Sequence, residues 1–296
     1  MAPKTKLDTR AAEYVKEHMP KIGVGTYQVG SESVLRETID AAFECGYRFI
    51  DTAQIYRNEA TIGKILPALL EKHSLKRDDI FITTKVSPAN QGKKKAYDSV
   101  IKSLSALNVE YLDLVLIHWP GTQKLKPSHP DNARLRTETY ADLEQLLDEG
   151  KIRALGVSNY EICHLEELLN ACRYLPAANQ CECHPHFPNR ELADYCKEKG
   201  IHFQAYSSLG GPDHVASLLK DPRVKKAAAA HGVSEAIVLL AWGLQQGFSI
   251  LPRTEKASRI RENYAALKCT LTDAEMAALS CIGKVEKVCW DPTTVT

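Results

Sequence analysis

Asp51, Lys85 and His118 each follow an apolar run: Tyr47-Arg-Phe-Ile50, Ile80-Phe-Ile-Thr-Thr84 and Leu112-Asp-Leu-Val-Leu-Ile117. Tyr56 stands five residues beyond Asp51. A lone aspartate or lysine after a strand is ordinarily a turn residue or a helix cap. Three successive strands that end in Asp, Lys and His are harder to explain that way, because a closed parallel barrel gathers its C-terminal strand ends on one rim. The four residue types suit the reduction of a carbonyl, whose oxygen becomes an alkoxide and needs a proton. A free phenol, with a pKa of about 10, donates poorly at neutral pH. A lysine ammonium beside it favours phenolate and is expected to lower that value. Asp51 is then expected to hold Lys85 in a salt bridge, and His118 to hydrogen-bond the carbonyl oxygen and orient it. None of the four carries a hydride, so a cofactor must.

The elements that position these residues are legible as a repeated unit. Apolar runs at residues 21–25, 47–50, 80–84, 112–117, 152–157, 177–181, 202–205 and 248–251 alternate with helical patterns. Residues 34–45 place apolar side chains at helical spacing, with Gly46 where a left-handed C-terminal glycine belongs. Residues 97–107, 140–149 before Gly150, 191–199 before Gly200 and 235–246 before Gly247 repeat the design, the last with Ser234 as N-cap. Eight such units predict an all-parallel sheet closed as a (β/α)8 TIM barrel with its site at the C-terminal strand ends. The competing reading is an open doubly wound sheet, which would place a Gly-rich phosphate loop after the first strand. Gly23-Val-Gly25 lacks the third glycine of that fingerprint. Residues 1–296 read as a single barrel domain, with 1–18 as an N-terminal extension, helical around 11–17, and 282–296 as a short tail.

Composition narrows the partners. Of 296 residues, 44% are hydrophobic and 25% charged, and the formal net charge is +1, which favours neither nucleic acid nor an anionic membrane. No apolar run approaches the roughly 20 residues of a membrane span, and the polar start carries no secretory signal. Nine scattered cysteines fit free thiols in a reducing cytoplasm. We expect a monomer acting on a small-molecule carbonyl.

Asp51-Thr-Ala-Gln-Ile-Tyr56-Arg-Asn-Glu59, Thr84-Lys85, Leu116-Ile-His118-Trp-Pro120, Gly156-Val-Ser-Asn159, Asn179-Gln180 and Glu262-Asn263 together resemble the aldo-keto reductase family, in order along most of the chain. The resemblance implies a barrel that binds NADPH in extended form without a Rossmann domain, with NADH as a weaker alternative. It puts Asp51, Tyr56, Lys85 and His118 on the catalytic positions. It also implies cofactor contacts from Gly25 and Thr26, from Ser158, Asn159 and Gln180 at the carboxamide, and from Tyr206 stacked on the nicotinamide. Ser207 and Leu209 fall at the pyrophosphate, and Asp213 in a loop that closes over the cofactor. Arg253, Thr254 and Arg259 fall at the 2′-phosphate, and Glu262 and Asn263 at the adenine. Tyr27 and Trp119 are expected to line the substrate pocket.

The basic cluster Arg253, Lys256, Arg259 and Arg261 taken alone reads as a solvated helix face; its place at the end of the eighth strand and the preceding motifs turn it into a phosphate site, since guanidinium groups bind phosphate oxygens well.

Four features depart from the family pattern. Arg253 stands for a usual lysine and Gly211 for a common serine. The helical pattern before Met19 replaces a usual β-hairpin plug, and the short tail predicts an open pocket with a broad aldehyde and ketone range. Cys181-Glu-Cys-His-Pro-His186 has no second ligand cluster at suitable spacing, and its alternation points Cys and His to opposite faces, so no metal site is expected. The other functional class open to this sequence is an NADPH-binding sensor or accessory subunit with little catalysis.

Overall fold

A computed structural model describes residues 6–281 and 286–296. Eight parallel strands pair in sequence order: β1 (Val24–Gly25), β2 (Phe49–Asp51), β3 (Phe81–Val86), β4 (Leu112–Ile117), β5 (Ile152–Ser158), β6 (Ala178–Glu182), β7 (His202–Tyr206) and β8 (Ser249–Ile250). A parallel bridge between Ile22 and Ile250 brings the last strand back to the first, so the sheet closes as the predicted barrel and the open-sheet alternative falls. Around it lie α1 (Arg10–His18), α2 (Glu32–Cys45), α3 (Glu59–Lys72), α4 (Lys95–Leu107), α5 (Asp131–Asp148), α6 (Ile162–Ala171) and α7 (Arg190–Lys199). Helices α8 (Gly211–Lys220), α9 (Pro222–His231) and α10 (Glu235–Gln245) all separate β7 from β8, and α11 (Ala257–Tyr264) and α12 (Asp273–Ser280) follow.

Strands β3 and β4 are buried along their whole length, as strands covered on both faces must be. At Gly156 an added Cβ would lie 2.5 Å from the carbonyl oxygen of Ala178, so only glycine lets β5 and β6 approach this closely. Helix α2 ends as read, with Gly46 at φ +105°. Two local expectations are corrected. Ser234 occupies the N-cap of α10, but its hydroxyl makes no cap bond. Helix α5 begins at Asp131, well before the apolar pattern at Tyr140. Its first turns bury polar residues instead: Asn132 donates to the carbonyls of Lys126 and Pro127, and Arg136 forms a two-pronged pair with Glu167. An apolar period cannot register such a helix start.

The barrel floor answers the question raised by the N-terminal segment. The expected helix forms as α1, and it takes the plugging role in place of a hairpin. Ala11 and Val15 are buried. Tyr14 stacks toward Phe81 at the start of β3 and donates 2.7 Å to Asp113 at the start of β4. The other Asp113 oxygen accepts from Arg77 and from the amide of Ile82. Met19 then receives the Gln204 amide on its sulfur at 3.4 Å. Among the described residues no single helix is long and apolar enough to cross a membrane.

Candidate active site

Strand register brings the expected quartet together. Asp51 ends β2, Lys85 is the penultimate residue of β3, and His118 directly follows β4; Asp51 pairs with Thr83, and Lys85 with Leu116. A single 3₁₀ turn, Gln54–Tyr56, folds Tyr56 back over this rim. Lys85 is 0% exposed, and its ammonium has three protons to place. They meet Asp51 Oδ1 at 2.6 Å, the carbonyl of Thr52 at 2.9 Å and Tyr56 Oη at 3.3 Å. Since Tyr56 Oη accepts from Lys85, its own proton is left to point elsewhere. The Tyr56 ring lies edge-on to His118, with centroids 5.6 Å apart.

The electrostatics correct one expectation. Burial pushes the Tyr56 phenol well above its ordinary value, and Asp51 raises it further, so Lys85 does not bring it down. Burial likewise pulls Lys85 down against the opposing pull of Asp51. His118 is driven down to about 3 by burial and by the Lys85 charge, so its imidazole is neutral at physiological pH.

From this quartet a chain of hydrogen bonds runs through the residues expected to bind the nicotinamide. Gln180 donates to Asp51 Oδ2 at 2.8 Å and to Gln204 at 2.6 Å, which uses both amide protons and leaves its oxygen as an acceptor. Ser158 donates to the Gln180 carbonyl at 2.8 Å. Asn159, at φ +62°, donates to Ser158 and to the His118 carbonyl, and accepts from Tyr206 Oη at 2.7 Å. Thr26 is buried and donates to the Asp51 carbonyl, while an added Cβ at Gly25 would sit 3.1 Å from the Leu251 carbonyl. This donor and acceptor set fits a carboxamide beside an aromatic face, as the nicotinamide group requires.

The far end is looser. Arg253 donates to the carbonyls of Tyr27 and Gln28, both at 3.0 Å, and contacts Glu255, so it is drawn toward the loop after β1. Arg259 stands exposed on α11. Thr254 is buried and accepts from the Lys256 amide; Asn263 is buried and Glu262 exposed. Leu209 packs half-buried against the core. Ser207 takes φ +51° with its hydroxyl 3.6 Å from Cys289 Sγ. The side chain of Asp213, within α8, lies outside the described residues.

Several contributors were not singled out in the sequence. Gln204 faces Gln180 in strand register, a pairing that adjacent strand alignment would have flagged. Asn58 ties the loop after β1 to the rim through the carbonyls of Thr26 and Val29. The tail is the larger surprise, because although short it does not leave the rim bare. Buried Glu182 accepts from the amides of Val288 and Cys289 and from Lys287. The Val295 carbonyl lies 2.8 Å from His164 Nε2, and Arg136 holds the Thr296 carbonyl. Trp290 lies edge-on to Trp119 at 5.9 Å, and the Tyr27 ring is 5.1 Å from that of Tyr56. The tail thus reaches the rim beside Trp119. Cys181 and Cys183 are buried and donate to Asn179 and to the Pro188 carbonyl.

Comparison with known proteins agrees with this geometry. Residues 21–284 match the Aldo/keto reductase family. The chain belongs to that family. It is 37% identical to glyoxal reductase of Bacillus subtilis (strain 168), over 95% of this chain and 97% of the relative. It is 35% identical to 9,11-endoperoxide prostaglandin H2 reductase of Trypanosoma cruzi (strain CL Brener), over 93% and 91%. Among solved structures, the aldose reductase from Schistosoma japonicum superposes with a TM-score of 0.82 at 33% identity, covering 92% of this chain and 90% of that one. This aldo-keto reductase is accordingly an oxidoreductase that reduces carbonyl groups with NAD(P)H.

Proposed function

We propose that this aldo-keto reductase is an NADPH-preferring reductase of small aldehydes and ketones in which Tyr56 delivers the proton. The observation that carries this reading is the Lys85 ammonium, fully engaged and donating to Tyr56 Oη. When bound, the nicotinamide supplies the hydride; Ser158, Asn159, Gln180 and Tyr206 would hold it. A carbonyl oxygen placed between Tyr56 Oη and the neutral His118 ring receives two hydrogen bonds. As negative charge grows on that oxygen, the Tyr56 proton moves to it, and Lys85 stabilises the phenolate left behind. The raised phenol value keeps Tyr56 protonated until a base as strong as an alkoxide appears. Asp51 fixes Lys85 and, through Gln180, couples it to the carboxamide cradle.

Preference for NADPH rests on Arg253, Lys256 and Arg259 at the start of α11, a concentration of charge suited to a 2′-phosphate. The aromatic rim of Tyr27, Trp119 and Trp290 suits apolar carbonyls, and the relatives named for glyoxal and aldose reduction extend the range toward small polar ones. Nine free cysteines accord with a monomer of one barrel domain in a reducing cytoplasm. The test is a panel of aromatic aldehydes, dicarbonyls, sugars and ketones assayed with NADPH and with NADH. Turnover favouring NADPH supports the proposal. Tight NADPH binding without turnover across the panel would overturn it in favour of a sensor or accessory subunit.

A further inference from the structure

The tail is fastened by a second cluster that the reductase chemistry does not use. His186 follows β6, His214 lies in α8, and Glu286 opens the described part of the tail. His214 Nε2 lies 3.0 Å from His186 Nδ1 and 2.9 Å from Glu286 Oε2, and His186 Nδ1 lies 3.9 Å from the same carboxylate oxygen. Three ligand atoms around a tetrahedral zinc, with bonds of about 2.0–2.1 Å, stand roughly 3.3 Å apart. The observed edges bracket that value.

Protonation logic supports the match. His186 Nε2 faces Asp221 Oδ2 at 3.2 Å, and a carboxylate only accepts, so the ring proton sits on Nε2. On a neutral His186, Nδ1 then turns its lone pair toward His214 and Glu286, and the three potential ligand atoms lie within 4.8 Å of one another. An aspartate behind a histidine that offers its other nitrogen is the arrangement that orients a zinc ligand. Asp221 is itself fixed, since it caps α9 by accepting from the Arg223 amide at 2.8 Å. The ring of His184, whose Nδ1 is buried without a partner among the described residues, lies 5.8 Å from that of His214.

We propose that His186, His214 and Glu286 form a structural divalent-metal site, best suited to zinc, that clamps the tail and α8 to the end of β6. The Glu286 amide already donates to the His186 carbonyl at 2.8 Å, so the tail is positioned before a metal arrives. Expecting no metal on the spacing within Cys181–His186 missed this set, because two of its three ligands come from distant segments. The cysteines of that run remain outside it.

The experiment strips the purified full chain with a chelator, then titrates zinc by calorimetry and, separately, cobalt(II) by visible absorption. The expected result is one ion per chain and a tetrahedral cobalt spectrum without a thiolate charge-transfer band. His214→Gln should abolish the stoichiometric site. Asp221→Asn should weaken it about 10- to 100-fold. Glu286→Gln, on the tail and away from the barrel core, should weaken zinc and remove any zinc-induced change in Trp290 emission, even if a histidine variant misfolds. Zinc binding to the parent no tighter than to His214→Gln and Glu286→Gln would overturn the proposal, as would a thiolate band, which would assign the ion to cysteines. Neither readout depends on turnover, so failure here leaves the reductase reading standing.

Discussion

The two ends of the proposed cofactor groove are built on opposite principles. At the reactive end, Lys85, Asp51, Gln180, Ser158 and Asn159 are all buried and tied to named partners, with the Gln180 side-chain oxygen left as an acceptor. At the phosphate end, Arg253, Lys256, Arg259 and Glu262 are exposed, and Arg253 is shared among two carbonyls and Glu255. Buried, satisfied networks are rigid and costly to break, whereas exposed charges are screened and adjust at little cost. The chemistry should therefore be intolerant of substitution and the cofactor preference graded.

Breaking the buried end should give the largest effect. Lys85→Met leaves Asp51 as an uncompensated buried charge, and losses of this kind cost about 3–5 kcal/mol. We expect a lowered denaturation midpoint together with a loss of kcat. A variant as stable and active as the parent would remove the asymmetry between the two ends.

Acid should expose the same contrast. His118 is held neutral down to about 3, against an ordinary value near 6.5. Between those values the unfolded chain binds a proton that the native ring refuses, so stability falls as pH falls below about 6.5 and the penalty is absent above it. Relative to His118→Gln, the parent should lose ~1–2 kcal/mol between pH 6.5 and 5 by urea denaturation. The parent's kcat should show no inflection near 6.5, because His118 does not titrate there.

Effects at the exposed end should be smaller and should leave kcat alone. Arg259→Ala is expected to raise KM for NADPH roughly 2- to 5-fold, the scale of one exposed charge contact, with little change for NADH. Moving from low to high salt should raise KM for NADPH several-fold at constant saturated rate, since the Debye length falls from about 30 Å at 0.01 M to about 3 Å at 1 M. A salt-insensitive KM would show that the arginines do not meet a phosphate.

The tail lies between these extremes. Burial alone would raise the Glu182 carboxyl, but the His184 hydrogen bond, the Val288 and Cys289 amides and Lys287 outweigh it and hold the carboxyl down at about 2. That stabilisation is present above about 4.5 and is lost as pH falls toward 2. Glu182→Gln should loosen the tail and shift emission from Trp290, which is 71% exposed, with a modest change in KM for bulky aldehydes.

What the sequence revealed follows the same division. Asp51, Lys85 and His118 were legible because strand ends in a closed barrel must meet, and the α2 boundary because Gly46 adopts the conformation that only glycine takes freely. The tail was not legible, because its anchors Glu182, His164 and Arg136 belong to segments remote from it in sequence. Nor was the Tyr56 phenol value: a sequence shows that Lys85 lies nearby but not that burial and Asp51 together push the phenol up. The start of α5 stayed hidden because its buried side chains are polar.

In the proposed mechanism Tyr56 protonates the carbonyl within a preformed cofactor cradle. The most direct test measures Tyr56→Phe for NADPH binding by fluorescence and for reduction of a reactive aromatic aldehyde at saturating NADPH. Binding is expected to stay within about threefold of the parent, with a rate lower by about 10²- to 10⁴-fold, the scale of a lost general acid. Reduction at the parental rate would contradict it.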